Sequence, residues 1–465
     1  MALAAMIFFK VVDRRGAKLW AETRAELETR GESLAVEPFL PKPVPPGQNF
    51  FRDPLVGTWF LRHNRNQRAL DLMPQHPRGC TSIPMSSAEL KDPVAFKAAM
   101  RGTNDVITLA AGVTPSAAML EWYKRYDEGL QAVHQAAERP YAVFEVDYRR
   151  PWEEQRIPNY VRVRTLVQAL STHAKASFLA GHPDEAIRDL TAIQRLGEGL
   201  NQGLPLVSAM IGVAICGLYV DVAGEGLAEG AWKEPQLRAI QAHCRRFDLP
   251  GAVQRSLRAG ERNRVVAMVE GVPGVFASDV ATIRSLEWYE RVFALMPIGW
   301  ADENLANYCR LLQPAIEGYD PKAGRVDAQK LAAASKLTEG IGVGDRSGPT
   351  FYLASIAIPN FLKAFMITAK NQSLLNLLDT ACGLELYRAA HGRYPEQLPQ
   401  LVPQYLPAVP KELISTQPIR YRLEGNAGYK LYSAGWDGVD HGGKPSTERA
   451  DEGDWVLPGS AGPSR

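Results

Sequence analysis

TLVQALSTHAKASFLAGHPDEAIRDLTAIQRLGEGL, residues Thr165 to Leu200, decides the fold. Leu166, Leu170, Ala174 and Phe178 recur at spacings of four, which gathers them into one stripe on a helix. Gly181 supplies the left-handed residue that ends such a helix, and Pro183 with Asp184 opens another. Ala186, Leu190, Ile193 and Leu200 line the second helix. The pattern predicts a helical hairpin whose apolar stripes are buried inside a larger helical body.

The rest of the chain reads in the same way, outward from that hairpin. Ala174 to Ile193 resembles one tetratricopeptide unit, with no second copy at a period near 34 residues, so no solenoid is expected. Towards the N-terminus, Ser86 to Arg139 is helical with a break at Gly112 to Pro115. Tyr141 to Tyr148 (YAVFEVDY) alternates like a strand. Pro38 to Pro54 carries six prolines and reads as an extended strap, held to the body by Phe39, Leu40, Phe50 and Phe51. Arg14 to Arg30 is helical. Before it, Met1 to Phe9 (MALAAMIFF) is apolar but too short to span a bilayer. Two expectations stand for it: the tail of a signal-anchor, or a helix start packed on the body.

Beyond the hairpin, Leu204 to Val220 is the longest apolar run, 17 residues with a proline in second place that meet Asp221 directly. It reads as a buried core helix. Helices are expected over Trp232 to Phe247, Val253 to Val269, Thr282 to Leu295 and Ala328 to Leu337. A loop is expected over Gly271 to Asp279, and a glycine-rich link over Gly340 to Pro349.

Composition excludes several classes of function. The 465 residues carry a net charge of +2, with 46% apolar and 22% charged residues, so no basic face for nucleic acid is indicated. Five scattered cysteines, Cys80, Cys216, Cys244, Cys309 and Cys382, form neither a zinc pattern nor a disulfide framework and read as buried thiols. Gly438 to Pro445 resembles a phosphate loop but has Pro445 where the magnesium-binding hydroxyl belongs, and Gly340 to Gly344 follows a helix instead of a strand. No HExxH and no GxSxG is present. Glu153-Glu154 and Asp184-Glu185 read as helix starts, Arg149-Arg150 beside Trp152 as a solvated turn, and His182 and His391 as turn and helix-end residues. No catalytic residue and no enzyme is expected.

One further stretch carries a resemblance. Ile356 to Pro407 reads IAIPNFLKAFMITAKNQSLLNLLDTACGLELYRAAHGRYPEQLPQLVPQYLP, followed by YRLEGNAGYKLYS and the acidic loop AGWDGVDHGG. Gly392 fits the end of a long helix, Pro395 forbids its continuation, and Leu386, Tyr387, Tyr394, Leu398 and Leu401 would pack it on a head. Tyr421 to Leu423 and Tyr429 to Ser433 read as two antiparallel strands joined through Gly425 to Gly428. This order of parts resembles the head of the major pseudopilin of type II secretion, with Pro359 where that family's helix leaves the membrane segment. The resemblance implies a calcium loop, here Ser433 to Asp454, with Asp437, Asp440, Asp451 and Asp454 as ligands, hard oxygens being what calcium takes. The family's leader and its glutamate are not found ahead of Ile356, so a head-like fold unit is implied and pilus assembly is not. Tyr160 to Val269 likewise resembles uncharacterised, mostly helical bacterial envelope proteins that carry a pilin-like tail.

The expected architecture is mainly α: an apolar segment, helix and strap over 1–60, a helical body over 61–347, and a pseudopilin-like α+β domain over 348–465. The expected function is a non-enzymatic scaffold acting through protein partners. It would sit in the cell envelope on the periplasmic side, with its N-terminus as membrane anchor, the alternative compartment being cytoplasmic. The competing functions are a hydrolase or carbohydrate-active enzyme with a pocket in the helical body, and a helical-hairpin adaptor for a partner peptide. Two carboxylates with perturbed pKa values in one deep pocket would favour the enzyme.

Overall fold

The computed structural model describes residues 2–102, 107, 109–148, 150, 155–271, 297–341, 348–358, 361–425, 428–445 and 452–458. It is mainly helical, with a small antiparallel sheet near the C-terminus. The longer helices are α1 (Ala2–Thr29), α2 (Pro115–Tyr123), α3 (Asp127–Ala137), α4 (Tyr160–Leu179), α5 (Pro183–Asn201), α6 (Leu206–Ala228), α7 (Glu234–Cys244), α8 (Ile298–Ile316), α9 (Ala328–Thr338) and α10 (Phe361–His391). The chain divides into two compact units. One comprises Met1–Leu40, Leu204–Leu206 and Val253–Phe365; the other comprises Pro41–Gly203, Val207–Ala252 and Met366–Arg465.

In the first unit, α1 lies along α8. Asp13 accepts a hydrogen bond from the Gly299 backbone at 2.8 Å, Arg15 grips Glu303 with two bonds of 2.5 and 3.0 Å, Arg310 reaches Glu26 and Arg30 reaches Glu317. The partners rise together along both helices, so the two run parallel. Their closest approach is at two glycines: a Cβ added to Gly16 would lie 2.1 Å from the carbonyl oxygen of Gly299. Trp20 and Leu27 pack there with Val266, Leu305, Ala306 and Cys309. The chain leaving α1 is fixed by a buried cation. Arg262, fully buried in a π-helical stretch (Ser256–Asn263), donates to Glu32 at 2.8 Å, Gln313 at 2.6 Å and Asn263 at 3.0 Å. Burial pushes the Glu32 carboxyl up, but hydrogen bonds from Arg258 and Arg262 hold it below its ordinary value. After α8, β1 (Tyr319–Asp320) and β2 (Arg325–Val326) form a two-residue antiparallel ladder before α9.

The second unit is built round the α4–α5 hairpin. Leu166, Leu170, Ala174, Ala186, Leu190, Ile193 and Leu200 are all fully buried, and Gly181 between the helices has φ +86°. α6 contributes Ala209, Val213, Cys216, Tyr219 and Val222 to the same core. It is also the one described helix long and apolar enough to cross a membrane, yet 61% of its apolar window is buried, as in a core helix. α7 is tied to α10: Arg245 holds Asp379 through two bonds of 2.9 Å, and Gln241 donates to the carbonyls of Asp379 and Tyr405.

α10 stops at His391. Gly392 takes φ +71° and returns its N–H to the Arg388 carbonyl at 2.8 Å. Tyr394, Leu398 and Leu401 are buried after that turn, with the Tyr394 hydroxyl on Glu385 at 2.7 Å and its ring edge-on to Tyr429. The sheet that follows has the order β3 (Arg420–Glu424), β4 (Gly428–Ser433), β5 (Trp455–Val456), all antiparallel, with Tyr421 opposite Leu431 and Ser433 opposite Trp455.

Several expectations need correction. Tyr141 to Tyr148 is not a strand; it makes one isolated bridge, Tyr141 to Asn49. The Asn49 side chain takes the place of a partner strand, donating to the Val143 carbonyl at 2.9 Å and accepting from its N–H at 3.0 Å. Helix α1 starts far ahead of Arg14 and includes the apolar Ala2 to Phe9. Helix α8 was not expected at all, although Leu305, Leu312 and Ile316 carry a usable period. The loop from Val272 to Asp279, the helix expected over Thr282 to Leu295, Pro359, and the Arg149, Trp152, Glu153 and Glu154 readings lie outside the described residues. All five cysteines are buried free thiols.

The glycine contact predicts that Gly16→Ala costs about 1–3 kcal/mol, because neither backbone can yield without moving a helix. Gly47→Ala, at an open position, is the control. Urea unfolding of both variants checks this; equal midpoints would remove the close-approach argument.

Candidate functional site

Burying an ionised side chain in a helical core is unfavourable unless every lone pair is met. In the second unit, α4 buries Thr172, His173, Lys175 and Ser177 in succession on its inner side. Lys175, 1% exposed, is met by Asp221 at 2.8 Å and Glu225 at 2.6 Å from α6. Thr172 joins His76 at 2.8 Å. His173 turns to α5, where Asp189 is fully buried one position before Leu190 of the apolar stripe.

Asp189 holds two histidines. His173 Nδ1 donates to Oδ2 at 2.7 Å, and His134 Nε2, from α3, donates to Oδ1 at 2.8 Å. His134 Nδ1 lies 3.5 Å from Glu185. Tyr123 of α2 packs edge-on to the His173 ring at 5.1 Å and donates to the Ala169 carbonyl at 3.1 Å. Burial alone would raise the Asp189 carboxyl, but the attraction of His173 and hydrogen bonds from both rings hold it below its ordinary value. Burial likewise lowers His173, and Asp189 more than restores it, leaving it raised.

This network is the floor of a pocket of about 530 Å³ lined by Asp127, Gln131, His134, Glu138, His173, Glu185 and Arg188 among others. A neighbouring pocket of about 480 Å³ shares Asp127, His173 and Glu185 and adds Lys124, Ser177 and Asp184. With Nδ1 committed to Asp189, His173 keeps Nε2 as its open nitrogen; no partner for it exists among the described residues. Sequence reading did not find this site. Its signal was three polar residues at stripe positions: His134 four after Leu130, His173 within the Leu170 to Ala174 stripe, and Asp189 three after Ala186.

The predicted calcium residues are placed differently. Asp437 accepts from the Val439 N–H at 2.9 Å. Asp440 accepts from Gly442 N–H at 2.8 Å and the Tyr432 hydroxyl at 3.1 Å, and pairs with Arg420 at 3.0 Å. Asp454, buried, takes the N–H groups of His441 and Gly443 on Oδ2. Asp451 lies outside the described residues. The loop therefore closes largely on its own backbone donors, and no three acidic, histidine or cysteine side chains converge on a metal position among the described residues. The buried Oδ1 of Asp454 has no hydrogen-bond partner, and the nearest ring nitrogen, Nδ1 of His441, lies 3.9 Å away. Asp184 and Glu185 stand in the first turn of α5 as expected, but Glu185 also faces the pocket.

Asp189→Asn should destabilise the protein by about 3–5 kcal/mol, since it removes the buried carboxylate that accepts from both imidazoles and turns an amide N–H₂ towards one of them. The pH dependence has two arms. The lowered Asp189 contributes stability above its unfolded value of 3.8 that is lost as pH falls through its folded pKa; the raised His173 contributes below 6.5 and loses it as pH rises through its folded pKa. Denaturation midpoints should therefore peak between those two values in the wild type and flatten in Asp189→Asn. Parallel curves would show that the pair carries no linkage.

Against known proteins, the chain matches no family model, no curated protein and no solved structure.

Proposed function

We propose that the protein is a non-enzymatic scaffold of the cell envelope, held at a membrane surface by the first turns of α1 and acting through protein partners. The observation that carries this is the exposure of Leu3, Met6, Ile7, Phe8, Phe9 and Val11, between 40% and 69%, on a helix that continues into the first unit. Burying such side chains in lipid is favourable by about 1.5–3 kcal/mol each, and Lys10, Arg14 and Lys18 follow as partners for anionic headgroups. The eight apolar helical residues Ala2 to Phe9 cover about 12 Å, a depth comparable to one leaflet of the hydrocarbon core.

The C-terminal part supports an interaction role. A long helix ends at a glycine, turns back through buried aromatics, and leads into an antiparallel sheet and acidic loop, the order of parts of a pseudopilin head. That head would dock protein partners in a type II secretion-like or surface-assembly system. Its loop would take calcium on Asp437, Asp440 and Asp454, with Asp451 as the fourth ligand of the same reading. The hydrolase reading ranks second. The pocket buries one carboxylate, Asp189, and both its oxygens are turned to histidines, so it orients a ring and does not attack a substrate.

Flotation with vesicles containing phosphatidylglycerol tests the anchor. The wild type should rise with the vesicles and Ile7→Glu/Phe8→Glu should stay behind; a wild type left in the bottom fraction would overturn it. Melting in calcium and in chelator tests the loop. A calcium-dependent rise that disappears in Asp437→Ala is expected, and superimposable curves would remove calcium.

A further inference from the structure

We infer that the paired pockets over the His173–Asp189 network form a binding site for a small organic cation carrying a primary ammonium group. The floor is buried and built. His173 is 6% exposed, lines both pockets, and keeps Nε2 without a partner among the described residues. Its Nδ1 hydrogen is fixed on Asp189, whose attraction raises the ring above its ordinary value, so Nε2 presents a lone pair to a donor once the pH exceeds that raised pKa. Ser177, one helical turn on from His173 and fully buried, has a hydroxyl without a partner and lines the second pocket.

The rim sets the sign of the ligand. Asp127, Glu138, Asp184 and Glu185 face the two pockets, against Lys124 and Arg188. Lys124 is already bound to Glu121 at 2.6 Å, and Arg188 lies against Glu185 at 3.4 Å. Asp189 adds a further negative charge beneath the floor. The carboxylates of Asp127, Glu138, Asp184 and Glu185 repel an anion and attract an ammonium group, whose N–H donors can be shared between this rim and the acceptors of the floor. A transition metal is disfavoured because no three ligating side chains converge among the described residues. The two volumes, about 530 and 480 Å³, suit a ligand of amino-acid to polyamine size. The site stands on the second unit alone and does not depend on the envelope reading.

Isothermal titration of the full chain with putrescine at mildly alkaline pH, above the raised pKa of His173, is the direct test, with 1,4-butanediol as the uncharged match and sodium chloride at equal ionic strength as the screening control. Saturable binding of putrescine is expected, with none for the diol. Asp127→Asn and Glu185→Gln, both at rim positions that leave the buried pair intact, should each weaken it about tenfold or more, the size expected for a lost charge-assisted hydrogen bond. No heat up to millimolar putrescine, equal response to the diol or salt, or unchanged affinity in both rim variants would each overturn the assignment.

Discussion

The second unit depends on one buried carboxylate. A fully buried Asp189 is tolerated only because rings from two other helices donate to its two oxygens, and that requirement fixes α3, α4 and α5 relative to one another more tightly than apolar contact would. Apolar stripes slide at small cost; hydrogen bonds of 2.7 and 2.8 Å on the two sides of one carboxylate do not. Lys175 repeats the device towards α6, with two carboxylates about one cation. The hairpin is thus apolar along its length and ionic at defined points.

The first unit reaches the same solution with the opposite sign. Arg262 is the fully buried charge, and Glu32, Gln313 and Asn263 are its counter-groups, so the chain after α1 is fixed by a cation instead of a carboxylate. The exposed ion pairs along α1 and α8 contribute little individually, roughly 0–1 kcal/mol each. Their common order shows which way the helices run, while the Gly16–Gly299 contact determines how close they come.

What the sequence made legible follows from which forces are local. The α4 and α5 stripes, the Gly181 turn, the end of α10 at Gly392 and the Tyr421 to Ser433 hairpin all rest on periodicity or on a glycine at positive φ, and each is present. Tyr141 to Tyr148 misled because alternation describes a strand's faces and not its partner; the partner is the Asn49 side chain, 94 residues away in sequence. The pocket was illegible for a related reason. His134, His173 and Asp189 are each a single polar residue at an apolar spacing, and only the packing of three helices brings both histidines within 3 Å of the carboxylate.

Two apolar stretches of this chain look alike in composition and differ in circumstance. Leu206–Ala228 keeps most of its apolar window inside the second unit, with small residues such as Gly212 and Gly217 set against the side chains of Asn201 and Asn371. A helix with backbone this close to polar side chains is committed to protein neighbours, since lipid offers no donors or acceptors in exchange. The first turns of α1 are held more loosely: Phe8 packs edge-on to Trp300, but Ile7, Phe8 and Phe9 all stand at the surface, where water is the poorest solvent for them. Hydropathy ranks the first stretch above the second, whereas the second leaves the larger share of its apolar side chains in water, and exposed apolar area is the quantity that free energy follows.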